Sequence, residues 1–571
     1  MKILYLLSVW LFLAGAVLAQ DSSQDPKLST DGVDLAGEVK ALREGLSQTQ
    51  KQLAAEHQEI ETLKASLKPG AGNPASNELA QGEAAERASD GTEYRMEGTA
   101  SHTVADTEHK PISQQGEETQ ESNQPLGSFK VGTAVLDLGG FVDLENIFRT
   151  TNTQSNIATA FASIPYSNTP QGNISEFRTT AQFSRLSVKL TDSFMGNDLT
   201  GYLETDFSGN DASNVYQSVN GHTNRLRLYF ADLKRGKWEF LGGQTWSWLT
   251  PNRNGIGPMP VDLALTYNED QNLGVGVPYT RAAELRVAYH TNEHWAMGAG
   301  IEDPNQYLGG FVALPAGFTS VGTQFDNGAQ IGSPNAFPDA LSKITYDRRF
   351  SGRHFHAEAT GLFTGAHAAL IPTGSTSFKT HSTVGGGGQI AANYELLPKL
   401  TVLANGFWSD GGAHYLVATG PQLVVRPDAD GRDVSLSMVH AGAVSAGLEW
   451  RATTKQAFAV YYGADYYGRN FFPDTTNTTH QGTIIGYGGP GSPNTNNRAI
   501  QQATFDWIQT FWSNPRYGAL QTYAQYSYLA RSPWYVAPGS PKNAHLSMVY
   551  FGVRYVLPAT FGTLVRVPQP N

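Results

Sequence analysis

Leu199-Thr200-Gly201-Tyr202-Leu203-Glu204-Thr205-Asp206-Phe207 places apolar or small residues at nearly every odd position and polar ones at nearly every even position. Successive side chains of a strand point to opposite faces, so this period of two writes one apolar and one polar face. Arg185-Leu186-Ser187-Val188-Lys189-Leu190, Arg225-Leu226-Arg227-Leu228-Tyr229-Phe230 and the run Leu136 to Glu145 repeat the pattern. Similar segments recur near 237–247, 280–290, 294–302, 339–349, 353–363, 384–394, 398–408, 438–450, 455–466, 499–512, 516–529 and 544–557. That makes sixteen strands, an even number as single-chain bacterial barrels use. The links between them alternate. Short ones fall at 191–197, 233–236, 291–293, 350–352, 395–397, 451–454 and 513–515, and long ones at 149–175, 208–223, 249–279, 303–338, 364–383, 409–437, 467–498 and 530–543. Short turns on one side and long loops on the other are the sidedness of an outer-membrane barrel, and a soluble sandwich has no reason to segregate them. Trp238, Trp295, Phe355 and Tyr517 begin strands just after short turns, while Tyr394, Trp450 and Trp512 end strands just before them. Aromatic rings at that level form a girdle at the membrane–water boundary. The fold expected is an all-β transmembrane barrel.

The 571 residues would suggest three or four soluble domains on length alone, at roughly 150 residues each. Composition excludes that: only 16% of residues are charged, Gly reaches 60 and aromatics 11%. A helical membrane bundle needs repeated apolar runs of about 18 residues or more, and one apolar stretch exists, at the N-terminus. Cys is 0, which removes disulfides, Cys-ligated zinc, iron–sulfur clusters and thiol catalysis. A net charge of −11 speaks against nucleic acid. The acidity is local. Residues 20–126 hold 9 basic and 20 acidic side chains, whereas 127–571 hold 30 and 31.

Residues 1–19 read as a secretory signal, with Lys2, the apolar core Ile3–Leu13 and Val17-Leu18-Ala19 before the cut; an uncleaved anchor is the alternative. In 20–68, Val39, Leu46, Leu53, Ile60 and Leu67 recur every seven residues, with Leu35, Leu42, Thr49, Glu56 and Leu63 offset by three or four. This narrow seam suits a coiled coil better than a helix packed on its own domain. Thr49 and Glu56 would weaken the seam and set register. Pro69-Gly70 stops the helix, and 69–126, rich in Gly, Ser, Glu and Gln, reads as a disordered acidic linker before a barrel domain at 127–571.

An exported chain with a periplasmic coiled coil, a spacer and a sixteen-strand barrel resembles the DcaP-like trimeric outer-membrane porins. The resemblance is carried by the heptads at 35–67, by Leu138-Gly139-Gly140-Phe141-Val142-Asp143 and by Phe240-Leu241-Gly242-Gly243-Gln244-Thr245-Trp246-Ser247. It implies a homotrimer and diffusion of small, often anionic solutes such as dicarboxylates. One departure is that the chain closes on Pro568-Gln569-Pro570-Asn571, whereas many such barrels end in an aromatic assembly signal; here Tyr555 or Phe561 would serve.

If apolar positions face lipid, their alternates face the lumen. That directs Arg185, Lys189, Arg225, Arg227, Arg286 and Lys343 inward as a basic wall, with Asp137, Asp143, Glu145, Glu204, Asp206, Glu239 and Glu284 as inward acids. A charge on the lipid face at mid-membrane would cost about 2–4 kcal/mol. These charges either pair across strands or set a field. The third long link, 249–279, is the one that commonly folds into sixteen-strand pores, and it brings Arg253, Asp262, Glu269 and Asp270. Loop acids opposite Arg185, Arg225 and Arg227 would make a charge-sensitive constriction. His354, His356 and Glu358 share one strand face, but a strand spreads alternate residues about 7 Å apart, so lumen lining is favoured over a metal site. Gly486-Tyr487-Gly488-Gly489-Pro490-Gly491 matches a nucleotide-loop pattern without a following helix, and Gly385 to Gly388 relieves crowding or bends a strand. No cofactor is implied. The function expected is a passive porin for small polar solutes. The alternatives are an envelope tether, its coiled coil reaching peptidoglycan or another layer, and a barrel enzyme, for which the sequence offers no compelling Ser/His/Asp or paired-acid signature.

Overall fold

In lipid every backbone N–H and C=O must be paired, and a sheet achieves this only by closing on itself. The chain does so. The computed structural model describes residues 127–155, 159–209, 222–258, 275–278, 280–304, 313–320, 337–416, 419–480 and 482–558, all within the compact unit Glu117–Asn571. The signal segment, the heptad seam, the linker and the loop acids Asp262, Glu269 and Asp270 lie outside the described residues.

A short β1 (Ser128–Val131) forms a hairpin with β2 (Ala134–Arg149), and β3 (Glu176–Thr180) and β4 (Arg185–Phe194) together make the second barrel strand along β2. There follow β5 (Asn197–Asp206), β6 (Arg225–Arg235), β7 (Trp238–Trp246), β8 (Arg281–His290) and β9 (Trp295–Glu302). A short β10 (Phe318–Ser320) precedes β11 (Asp339–Phe350), β12 (Arg353–Pro372), β13 (Lys379–Leu397) and β14 (Leu400–Asp410). The hairpin β15 (Leu423–Pro427) and β16 (Val434–Met438) lies outside the barrel sheet, as does β19 (Asn470–Pro473) with β20 (Ile484–Tyr487). The wall resumes with β17 (His440–Trp450), β18 (Gln456–Tyr467), β21 (Asn497–Asn514), β22 (Gly518–Pro533) and β23 (Ala544–Val556). The wall strands pair antiparallel in this order, with β9 directly on β11 and β10 on the end of β12, and β23 returns to β2 from Phe141↔Val556 to Arg149↔Met548. Sixteen strands close the wall.

Side chains alternate as expected over most of it. Leu138, Val142, Leu144, Leu285, Ile390, Val444 and Val553 are exposed on the outer face, while Asp143, Glu145, Glu204, Asp206, Glu239 and Glu284 are buried inside. At the short-turn end the aromatics of neighbouring strands meet ring against ring. Trp238 lies 4.9 Å from Tyr289, Trp295 4.6 Å from Tyr346, Phe355 6.2 Å from Tyr394 and Trp450 5.7 Å from Phe458, ring to ring. A second set marks the long-loop end, where Trp408 stacks on His440 and Tyr466, and Tyr528 on His545.

Three expectations are corrected. The link expected at 191–197 is a two-residue turn, because polar Asp192, Ser193 and Asp198 continue the ladder and Met195-Gly196 take φ of 51° and 75°. Positive φ at both central residues matches the right-handed twist of the strands they join. The long link expected at 364–383 shrinks to 373–378, since β12 and β13 pair as far as Leu370↔Lys379. There Ala366, Ala368 and Leu370 pack inward against Phe318 and the β15–β16 hairpin, so the apolar face has switched sides and alternation for lipid no longer applies. In β6, a bulge opposite Glu204 and Thr205 inserts Arg227, which turns Leu228 and Phe230 inward and Tyr229 outward.

Backbone approach explains two glycine sites. A Cβ on Gly140, at φ +123°, would lie 2.0 Å from the Arg185 carbonyl oxygen. Pairing between β2 and its neighbour shifts there by one residue, from Phe141↔Arg185 to Glu145↔Thr180. In β13, a Cβ would lie 2.1 Å from the Asp410 carbonyl oxygen at Gly385 and 2.5 Å from that of Trp408 at Gly387.

Candidate functional site: a loop-lined lumen

The inner wall carries the ionisable groups, and long links fold onto it. Residues 247–258 of the third long link enter the barrel beyond β7. Trp248 donates its backbone N–H to Glu302 at 3.0 Å, Asn252 to Glu358 at 3.1 Å and Gly255 to Asp347 at 3.0 Å. Arg253 reaches the far wall and forms a bidentate pair with Glu449 of β17. Further on, Gly276 donates to Asp465 of β18 at 2.8 Å and accepts from Asn405 of β14, also at 2.8 Å. The described parts of this link therefore lie inside the barrel. Trp248, Leu249 and Ile256 pack there with Leu341, Leu362 and Phe407 of the wall and with Tyr415 and Leu416 of the 411–416 turn. That turn is tied down by His414 and Tyr415, which reach Asp339 at 2.7 and 2.9 Å. The first long link closes a third side: Phe161, Ile164 and Tyr166 pack on the tops of β21, β22 and β23. Arg531, buried, donates to the carbonyl oxygens of Ile164 and Asn494 at 2.6 and 2.8 Å and lies 4.4 Å over the Tyr166 ring. Tyr166 sits in this link outside the membrane span, and burial raises its pKa.

The six cations named from sequence fall into three places. Arg185, Arg225 and Arg227 converge on β4 and β6. Asp206 sits between them, opposite Arg185 and Arg225 in register, and its carboxylate meets Arg225 at 2.6 Å and Arg227 at 2.9 Å. Glu204 meets Arg227 at 2.8 Å and Arg185 at 3.5 Å. Three guanidiniums thus share the carboxylates of Asp206 and Glu204. Beside them lies an inward apolar cluster of Tyr202, Leu228, Phe230, Leu241 and Trp246. Arg286 and Lys343 do different work: Arg286 pairs with Glu284 at 2.7 Å and lies 5.1 Å over Trp248, while Lys343 is fully buried between Glu358 at 2.9 Å and the Trp248 carbonyl at 2.9 Å. Both hold the inward link. Lys189 is separate, half-buried nearer the short turns and opposite Asp137.

His354 and His356 both meet Asp347, at 3.4 and 2.9 Å, and His356 also meets Glu358 at 3.2 Å. This chain of polar contacts is the floor on which Asn252 and Gly255 dock. Among the described residues no group of His and carboxylates has the arrangement of a metal site. Alternation alone would have flagged Arg149, Arg531 and Arg554 as inward, since each sits in the buried register of its strand. Arg554 pairs with Asp143, its Nε at 3.1 Å, across the seam that closes the barrel. No sequence signal pointed to His414 or Tyr415, whose partners lie more than seventy residues away.

A closed sixteen-strand wall, an apolar exterior with aromatic rings at both ends, a charged interior and a long link folded inward define the class: a porin-type outer-membrane barrel. Solved structures of such barrels resemble it. The outer membrane channel DcaP of Acinetobacter baumannii superposes with a TM-score of 0.51 at 17% identity, over 76% of this chain and all of that one. OprB of Pseudomonas putida gives 0.40 at 12%, over 73% and 94%, and OmpF of Salmonella typhi 0.40 at 10%, over 75% and 99%. At these identities the likeness is one of fold. No family model matches the chain, and no curated protein matches it.

Proposed function

We propose that this chain forms a passive outer-membrane pore for small hydrophilic solutes, with a preference for anions of the dicarboxylate type. One observation supports it above the rest: the link at 247–258 lies across the lumen from β7 to Glu449 of β17, in a barrel whose wall bears the guanidinium cluster Arg185, Arg225 and Arg227. Guanidinium groups fixed on the wall of a partly apolar passage lower the entry energy of anions and raise that of cations. The heptad seam at 35–67 supports self-association through a coiled coil in the periplasm, and the resemblance to DcaP-like porins makes the assembly a homotrimer. Planar-bilayer recordings under a salt gradient test the preference. Neutralising both positions as R225Q/R227Q should move the reversal potential toward cations, and an unchanged reversal potential would remove the guanidinium cluster from selectivity.

A further inference from the structure

The inward arginines meet carboxylates almost without exception: Arg149, Arg185, Arg225, Arg227, Arg253, Arg286 and Arg554 each have one within ion-pair distance. Two exposed arginines at the long-loop end are built differently. Arg469 follows β18 and Arg498 occupies a bulge near the start of β21. Neither has an ion-pair partner among the described residues. Instead both guanidiniums lie over one indole, 4.3 and 5.9 Å from the Trp534 ring centroid.

That indole is fixed. Its ring N–H donates to the Tyr467 carbonyl oxygen at 2.9 Å, and its backbone N–H to that of Asn496 at 2.9 Å. It meets Tyr466 edge-on at 5.9 Å, and Tyr466 stacks on Trp408 at 6.1 Å. Tyr466 and Trp408 stand on the lipid-facing side, 38% and 54% exposed. The platform therefore runs from the apolar outer wall up to two cations at the membrane boundary on the side of the long loops. Aromatic rings mark that boundary in depth. A ring face attracts a cation but leaves its charge uncancelled, and two like charges gathered on one ring favour an anion beside them. The planar donor fork of arginine matches phosphate oxygens.

We propose that Arg469 and Arg498, on the platform of Trp534 and Tyr466, hold the phosphorylated sugar headgroup of an outer-leaflet glycolipid, its acyl chains descending past Trp408. This rests on the outer-membrane reading above and on the long loops facing outward. The geometry serves a lipid better than a free ion, because the cations are continuous with an apolar, membrane-facing surface.

The test uses the full chain purified in detergent and native mass spectrometry with bis-phosphorylated and dephosphorylated lipid A. Wild type should retain the phosphorylated form at least about tenfold more tightly, the difference expected for one charge-assisted hydrogen bond. R469A/R498A should lose that difference, and R469K/R498K should keep part of it. Equal retention of both lipids by wild type, undiminished retention by the double alanine variant, or displacement by inorganic phosphate at matched concentration would overturn the proposal. Single-channel conductance of R469A/R498A in a bilayer should equal that of wild type. A wild-type chain that binds the lipid and fails to conduct would overturn the pore and leave the lipid site standing.

Discussion

Lys343 shows how far a residue's role departs from its face. Alternation on β11 directs it inward, and there it is, but it lies fully buried between Glu358, the Trp248 carbonyl and Asn252. Nothing local in the sequence distinguishes a cation that faces water from one that a loop later covers, and the covering residues come from 91 to 95 positions away. Removing one partner of a buried pair strands the other, so Lys343→Met should destabilise the barrel by about 3–5 kcal/mol. K343M/E358Q, which removes both charges and keeps an acceptor for the Asn252 N–H, should recover much of that loss. Unfolding in urea, followed by Trp fluorescence, measures both. Equal stability of wild type and K343M would show that the inward link is held elsewhere. Arg227 makes the companion point: its inward direction was legible, whereas the turning of Leu228 and Phe230 was not, because a bulge depends on the partner strand β5.

At the scale of elements, strand identity was readable wherever one face met lipid, and it faded where a strand left the membrane. The upper halves of β12 and β13 escaped because Ala366, Ala368 and Leu370 face a cap of loop residues, which reverses the apolar face. The clustered glycines of β13 read as relieving crowding or bending the strand, and Gly385 and Gly387 sit against neighbouring carbonyl oxygens. Gly140 is the sharper case. Its φ of +123° and the Arg185 carbonyl oxygen, which a Cβ would approach to 2.0 Å, leave no room for a side chain. Gly140→Ala should reduce the yield of heat-modifiable, folded barrel on refolding into detergent, while Gly196→Ala, whose Cβ meets nothing within 4 Å, should cost less. A comparable loss at both positions would place the cost in φ rather than in close approach. The 411–416 turn has a functional counterpart: H414A/Y415A removes both ties to Asp339 and should raise single-channel conductance or its noise. Unchanged traces would show that the turn does not limit the passage.

For the whole molecule, the net charge of −11 divides between an acidic segment, 20–126, and a barrel region near neutrality. The total therefore carries no information on selectivity, which depends on where charges sit along the wall. Deleting 20–126 should leave unit conductance intact and weaken the trimer, read by cross-linking and mass; loss of conductance would make the N-terminal segment part of the pore. The proposed function requires above all that the lumen, although lined by inward links, conducts. The most direct measurement is insertion of the purified full-length chain into a planar lipid bilayer. Uniform stepwise conductance increments are expected, with reversal potentials displaced toward anions under a salt gradient. A folded, membrane-inserted barrel that gives no increments would contradict a pore.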